Sequence, residues 1–245
     1  MMHLAEDEIG LAVIWHDIEC GVYAADLPLW RAMARRAAGP VLDLGAGTGR
    51  VALDLARRGH SVTAVELVPE FVAELTRRAS AADLDVTAVS GDVRTLALGR
   101  RFPLVLAPMQ LLQLLGPEER PSALRTVADH LEPNGRAALA IVDRLDREED
   151  APPLPDLREV NGWVCSSQPL AIRPREEGVS VIRRRQTVSP NGAMSEEDDE
   201  VFLNALPLAT LEVESAAAGL RLDEAVAIPP SAEHVGSTIV VMEPA

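Results

Sequence analysis

The sequence predicts an α/β protein: a doubly wound, mostly parallel seven-stranded sheet with a small antiparallel β insertion late in the chain. Three observations predict it. Short apolar strands and amphipathic helices alternate from Val41 to Val142, as a parallel sheet covered on both faces by helices requires. A glycine-rich turn from Gly45 to Gly49 joins the first strand to its helix, where the absence of Cβ atoms lets the backbone bend sharply. After Asp143 the alternation gives way to a charged, proline-rich connector and then to stretches with a two-residue period.

The elements follow in order. Asp26 is the expected N-cap of a first helix with Pro28 in its first turn and Leu27, Trp30, Met33 and Ala34 on one face; Gly39 and Pro40 end it. Val41 to Leu44 reads as a buried strand, Arg50 to Arg58 as a helix closed by Gly59, and Ser61 to Glu66 as a second strand. Pro69 to Ala79 is a helix opened by proline with Glu70 near its start. Val86 to Val89, ending in Ser90-Gly91-Asp92, is a third strand and Leu104 to Ala107 a fourth. A helix from Glu118 to Leu131 follows Gly116-Pro117, and Asn134-Gly135 turns the chain into a fifth strand from Ala137 to Val142. Arg147 to Pro155 is the connector. Val179 to Val188, the turn cluster Ser189 to Gly192 and a run centred on Glu200 to Leu206 form the antiparallel insertion. Leu208 to Ala218 is a helix capped by Gly219, and Leu220 to Ile228 and Thr238 to Met242 complete the sheet.

Composition narrows the function. The chain has 245 residues, enough for one large domain, and a formal charge of −15. Affinity for nucleic acid grows from phosphate neutralisation by Lys and Arg, so so acidic a balance makes a nucleic-acid partner unlikely on average composition. The 23 basic residues are all Arg, which excludes lysine chemistry. Two cysteines, Cys20 and Cys165, are too few and too far apart for a disulfide framework or a zinc site, so no metal is expected. No apolar run approaches the roughly 20 residues that span a membrane, and residues 1 to 10 lack a secretory pattern. A cytoplasmic protein, monomer or homodimer, is expected.

Ligands of such sheets bind beyond the carboxyl ends of the strands, near the point where strand order reverses. The segment Val41-Leu42-Asp43-Leu44-Gly45-Ala46-Gly47-Thr48-Gly49 sits at the first such end. A dinucleotide site places its third glycine one residue later, where this chain has Arg50, so an NAD-dependent oxidoreductase is disfavoured. Two acids follow at the next strand ends, Glu66 and Asp92.

This order resembles motif I and its successors in the class I S-adenosylmethionine (SAM)-dependent methyltransferases, small-molecule type, and implies a Rossmann-like domain. The resemblance covers roughly Asp26 to Val142 and is specific to the cofactor rather than the acceptor. It implies SAM as cofactor, with Gly45, Ala46 and Gly47 along its amino-acid tail. Glu66 would hold the ribose hydroxyls, followed by Leu67. Asp92 would accept from the adenine amino group, with Val93 at the ring edge. Asp43 would organise the loop and its water. Asn134 stands where the family more often has glycine. The whole chain is expected to be one methyltransferase domain: an N-terminal lid over 1–25, a SAM-binding core over 26–146, the connector and insertion over 147–206, and the last helix and strands over 207–245. Tyr23 resembles a lid tyrosine over SAM, or packs.

The expected reaction is in-line methyl transfer to an N or O nucleophile of a small molecule, in which alignment does most of the work and a base is needed only for a protonated acceptor. No residue stands out as catalytic. Met109 and Gln110 follow the fourth strand, where small-molecule members contact cofactor and substrate; Gln110 and Gln113 either orient a polar acceptor or face solvent. Asp143 receives an amine or hydroxyl, or caps the next segment. His16 supplies a base from the lid, or is structural. The Arg183-Arg184-Arg185 run attracts an anionic acceptor, or is a solvated strand face. Methylation of RNA or protein, and a non-catalytic SAM-binding partner subunit, are the alternatives.

Overall fold

The computed structural model describes residues 10–142, 154–230 and 235–245. They fall into two compact units: the described parts of Met1–Tyr23 and Leu145–Leu203, and those of Ala24–Arg144 and Asn204–Ala245.

The larger unit is the doubly wound sheet. Its elements are α2 (Leu27–Ala37), β1 (Val41–Leu44), α3 (Arg50–Ala56), β2 (Val62–Glu66), α4 (Pro69–Ala81), β3 (Val86–Ser90), β4 (Phe102–Ala107), α5 (Arg120–Asp129), β5 (Leu131–Ile141), α6 (Leu208–Ala217), β10 (Leu220–Ile228) and β11 (Ser237–Pro244). The seven strands lie in the order β10-β11-β5-β4-β1-β2-β3. β1 pairs in parallel with β2 on one side and β4 on the other, and β2 with β3 and β4 with β5 are also parallel. Only β11 runs against its neighbours β5 and β10. The order reverses between β1 and β4, which places the ligand crevice at their carboxyl ends.

Because aromatics make up 3% of the chain, aliphatic side chains fill this core. Leu42, Leu44, Val105, Leu139, Ile141 and Val240 from the sheet meet Leu124, Val127 and Leu211 from α5 and α6, all essentially buried. Central strand β1 is buried along its whole length, so its run Val41-Leu42-Asp43-Leu44 is nearly continuous in apolar character rather than alternating.

One local expectation changes. Asp26 does not cap α2 through its side chain, and its backbone is helical at φ −87° and ψ −19°. The carboxylate accepts instead from both terminal nitrogens of Arg50, at 2.6 and 2.8 Å, and from Trp30 Nε1 at 2.8 Å. A buried bidentate guanidinium offers charge-assisted bonds that a backbone amide does not match.

The smaller unit pairs a short helix, α1 (Leu11–His16), and a π-helical turn (Asp17–Gly21) with a four-stranded antiparallel sheet in the order β6-β7-β8-β9. The strands are β6 (Asp156–Val160), β7 (Trp163–Arg175), β8 (Gly178–Val188) and β9 (Met194–Asn204), the last residue of β9 already counting with the larger unit. Ile14, Trp15, Ile18 and Cys165 form its core. β9 begins earlier than its composition suggests, because its acids pair across the strands: Asp198 with Arg184 and Asp199 with Arg185, each at 2.8 Å. The arginine run is therefore neither open to an anion nor simply solvated. Arg183 and Arg185 turn to Glu19, and Arg185 also lies over the Trp15 ring at 5.6 Å.

Among the described residues no helix is long and apolar enough to cross a membrane, and no cluster of His, Cys, Asp or Glu could hold a metal ion.

Candidate functional site at the ends of β1, β2 and β3

The turn after β1 takes three left-handed glycines, Gly45 at φ 67°, Gly47 at φ 56° and Gly49 at φ 98°. An L side chain at these positions strains the backbone. Space restricts two of them as well. A Cβ on Gly49 would stand 2.3 Å from Leu75 Cδ1, and one on Gly45 would stand 3.0 Å from Leu111 Cδ1 in the segment after β4. The two loops flanking the crossover thus touch where a ligand would enter.

Glu66, at the tip of β2 and 9% exposed, fixes this turn. Its Oε2 accepts from the Gly47 amide at 2.9 Å, while Oε1 accepts from the amides of Leu67 and Val68 at 2.8 and 2.9 Å. A carboxylate offers about four acceptor positions, so one is left over. Leu67 beside it is 58% exposed, an apolar platform at a strand tip.

Asp43 lies below the turn, fully buried, and neither of its oxygens has a hydrogen-bond partner. Burial pushes its carboxyl up to about 7; the Arg50 guanidinium and the Ala52 backbone N–H, which falls short of full hydrogen-bond geometry, pull the other way, while Glu66 and Asp26 add to the rise. An unpartnered buried carboxylate is costly unless a donor reaches it. A cationic group placed at the turn would ease that charge from above.

Asp92 follows β3 and is half-buried, with Val93 buried beside it. The Arg94 guanidinium holds the Asp92 carboxyl below the usual carboxylate range. After β4, Pro108 leads into Met109, a non-glycine residue at φ 60°, the kind of strained backbone that accumulates at functional sites.

Of the other expected residues, Gln110 is partly exposed at the head of a single 3-10 turn, Leu111–Gln113. Gln113 does not face solvent. It is 1% exposed; its Nε2 donates to Val142 O at 3.0 Å and Asn204 O at 3.2 Å, and its Oε1 accepts from Val142 N at 2.7 Å. With both ends of its amide used, Gln113 holds backbone rather than offering hydrogen bonds outward. Asp143 lies outside the described residues. His16 and the buried Tyr23 belong to the smaller unit. His130 is structural: its Nδ1 meets Thr126 O at 2.7 Å and its Nε2 accepts from Leu98 N at 3.0 Å. Arg94 and Arg50 are the residues that sequence reading passed over. A guanidinium two places beyond a strand-end acid was the available signal for the first.

A parallel sheet that reverses at β1/β4, with one reversed strand, a glycine turn at the reversal and acids on the next two strand tips, is similar in architecture to the class I SAM-dependent methyltransferases that the sequence resembles. Residues 41–135 match the family described as a methyltransferase domain. Among solved structures, the CcbJ methyltransferase from Streptomyces caelestis is 24% identical, covers 90% of this chain and 89% of its own, and superposes with a TM-score of 0.65. CalS10, an amino pentose methyltransferase from Micromonospora echinaspora involved in calicheamicin biosynthesis, is 20% identical over 93% and 96%, with a TM-score of 0.71. The sugar N-methyltransferase KedS8 from a Streptoalloteichus species is 18% identical over 94% and 92%, with a TM-score of 0.73. No curated protein matches by sequence.

Proposed function

We propose that the protein transfers the methyl group of SAM to an amine of a small molecule. The observation that carries the reading is the Glu66 carboxylate locked onto the Gly47 amide, directly beside the unpartnered Asp43. SAM, when bound, supplies an already activated methyl group. The turn from Gly45 through Ala46 to Gly47 would then run along its amino-acid tail, and the Asp43 carboxylate beneath it would balance the ammonium charge. Glu66 would accept one ribose hydroxyl outright and share an oxygen with the second. Asp92 and Val93 would meet the adenine edge and Leu67 and Met109 its faces. Gln110 stands on the acceptor side, and Asp143, His16 and Tyr23 are carried as candidates for acceptor and lid.

The amine is favoured over an oxygen nucleophile for two reasons. The structural relatives whose names state an atom methylate nitrogen, and a neutral amine needs alignment rather than a strong base. The acidity of the chain speaks against RNA. A cytoplasmic setting belongs to the same proposal.

The test has two stages. Calorimetry with SAM and its demethylated product S-adenosylhomocysteine (SAH) should give saturable binding; none at millimolar ligand removes the cofactor assignment. Turnover against amino sugars, small peptide amines, phenols and RNA should then yield an N-methylated small molecule. Binding without turnover on any class would favour the non-catalytic partner subunit, and methylated RNA would overturn the acceptor class.

A further inference from the structure

Asp92, where the proposed function seats adenine, is already held. The Arg94 amide donates to Oδ1 at 2.8 Å, and Arg94 Nε lies 2.9 Å from Oδ1 and 3.0 Å from Oδ2, with a terminal nitrogen also on Oδ2. The other terminal nitrogen of the same guanidinium pairs with Glu119. Glu119 in turn accepts from the Gly116 amide at 3.1 Å through its second oxygen, just ahead of α5. One side chain thereby spans from the tip of β3 to the segment following β4. These groups are substantially exposed, at 39% for Arg94 and 40% for Glu119, and ion pairs so exposed contribute little to folding. Stability therefore does not account for a clamp on both oxygens of Asp92.

We propose that Arg94 is a positioning residue for the adenine base: it fixes the Asp92 carboxylate as a pure acceptor, aimed at a 6-amino group and closed to a 6-oxo group. An ionised carboxylate carries about four acceptor positions and no donor. The Arg94 amide, its Nε shared between the two oxygens and one terminal nitrogen are three donors, which leaves one position for an N–H of adenine. The lone pairs of a 6-oxo purine would face oxygen lone pairs and be repelled. The inference rests on the SAM reading above and adds to it a residue that selects the base.

The test is a double-mutant cycle over Arg94→Ala and Asp92→Asn, titrated with SAH and with its 6-oxo (inosyl) analogue, each variant first checked for an unchanged melting temperature. Wild-type protein should prefer SAH. Arg94→Ala should weaken SAH about tenfold, one good hydrogen bond's worth, while leaving the inosyl analogue nearly unaffected. In the Asp92→Asn background the same change should cost less than about twofold, since a residue acting through another loses its effect when that one is gone. Arg94→Lys, which keeps the charge without the planar fork, should fall between. Equal losses for both ligands, or equal losses in both backgrounds, would overturn the proposal by reducing Arg94 to a loop support. Tighter SAH binding by Arg94→Ala would overturn it by making Arg94 a competitor. Wild-type protein that binds neither compound would overturn the SAM reading itself, and this inference with it.

Discussion

The Glu66 carboxylate receives the Gly47 amide at 2.9 Å across 19 positions of sequence, so the tip of β2 sets the shape of the turn that follows β1. The proposed ribose contact and the geometry of the loop meet in one side chain. Glu66→Ala should therefore weaken SAM by more than the roughly 1–3 kcal/mol of an unpaired buried hydroxyl, because three backbone amides lose their acceptor at once. Calorimetry reads this directly, and a dissociation constant within about twofold of wild type would detach Glu66 from the site.

Gly47→Val places a β-branched residue at φ 56°, a region costing about 1–2 kcal/mol for an L residue. The melting temperature should fall modestly while SAM binding drops below detection. Retained affinity in calorimetry would show that the ligand does not pass the turn.

Asp43 makes the free protein sensitive to pH. Its folded carboxyl titrates at about 7, raised mainly by burial, against an ordinary value near 3.9. A raised acid stabilises the fold fully below the unfolded value, and that contribution fades as pH rises through about 7. Between pH 5 and pH 8 the melting temperature of the wild type should fall relative to Asp43→Asn, which keeps the shape and cannot ionise. A difference between the two that stays constant across this range would contradict the assignment.

Gln113→Ala should act on stability rather than on acceptor recognition. It strands the amide and carbonyl of Val142 and the carbonyl of Asn204, for a cost of about 2–4 kcal/mol in urea unfolding. An acceptor KM that rose with unfolding unchanged would return Gln113 to the substrate side.

The sheet unit was legible because each strand end is punctuated. Gly45 to Gly49 and Ser90-Gly91 mark turns whose chemistry is local, whereas Asn134-Gly135, read as a turn before a strand at Ala137, lies inside β5, where pairing with β4 shifts register between Phe102 and Leu104. The smaller sheet was legible only in its later half. β7 contains Pro169 and Pro174, which argue against a central strand, and the structure accommodates the first with a register shift between Pro169 and Ala171. Asn161-Gly162 was a readable hairpin signal, with both residues at positive φ and Val160 facing Trp163. Helix α1 starts at a left-handed Gly10 without a side-chain cap, so no start signal announced it. In the site, the alternation of elements put Gly45, Gly47, Glu66 and Asp92 at strand ends, and the family resemblance singled them out. The pairing of Arg94 with Glu119 could not, since 25 residues separate them, nor could the burial of Gln113, which depends on β5 and β9 arriving at its side.

Val142, where the chain leaves the sheet, and Asn204, where it returns, are stitched together by the single carboxamide of Gln113, and Asn204 Nδ2 donates back to the backbone O of Gln113 at 3.0 Å. The ends of the intervening segment are thus moored to each other inside the larger unit. A sheet anchored this way can accept a different appendage at that point without relearning its own fold.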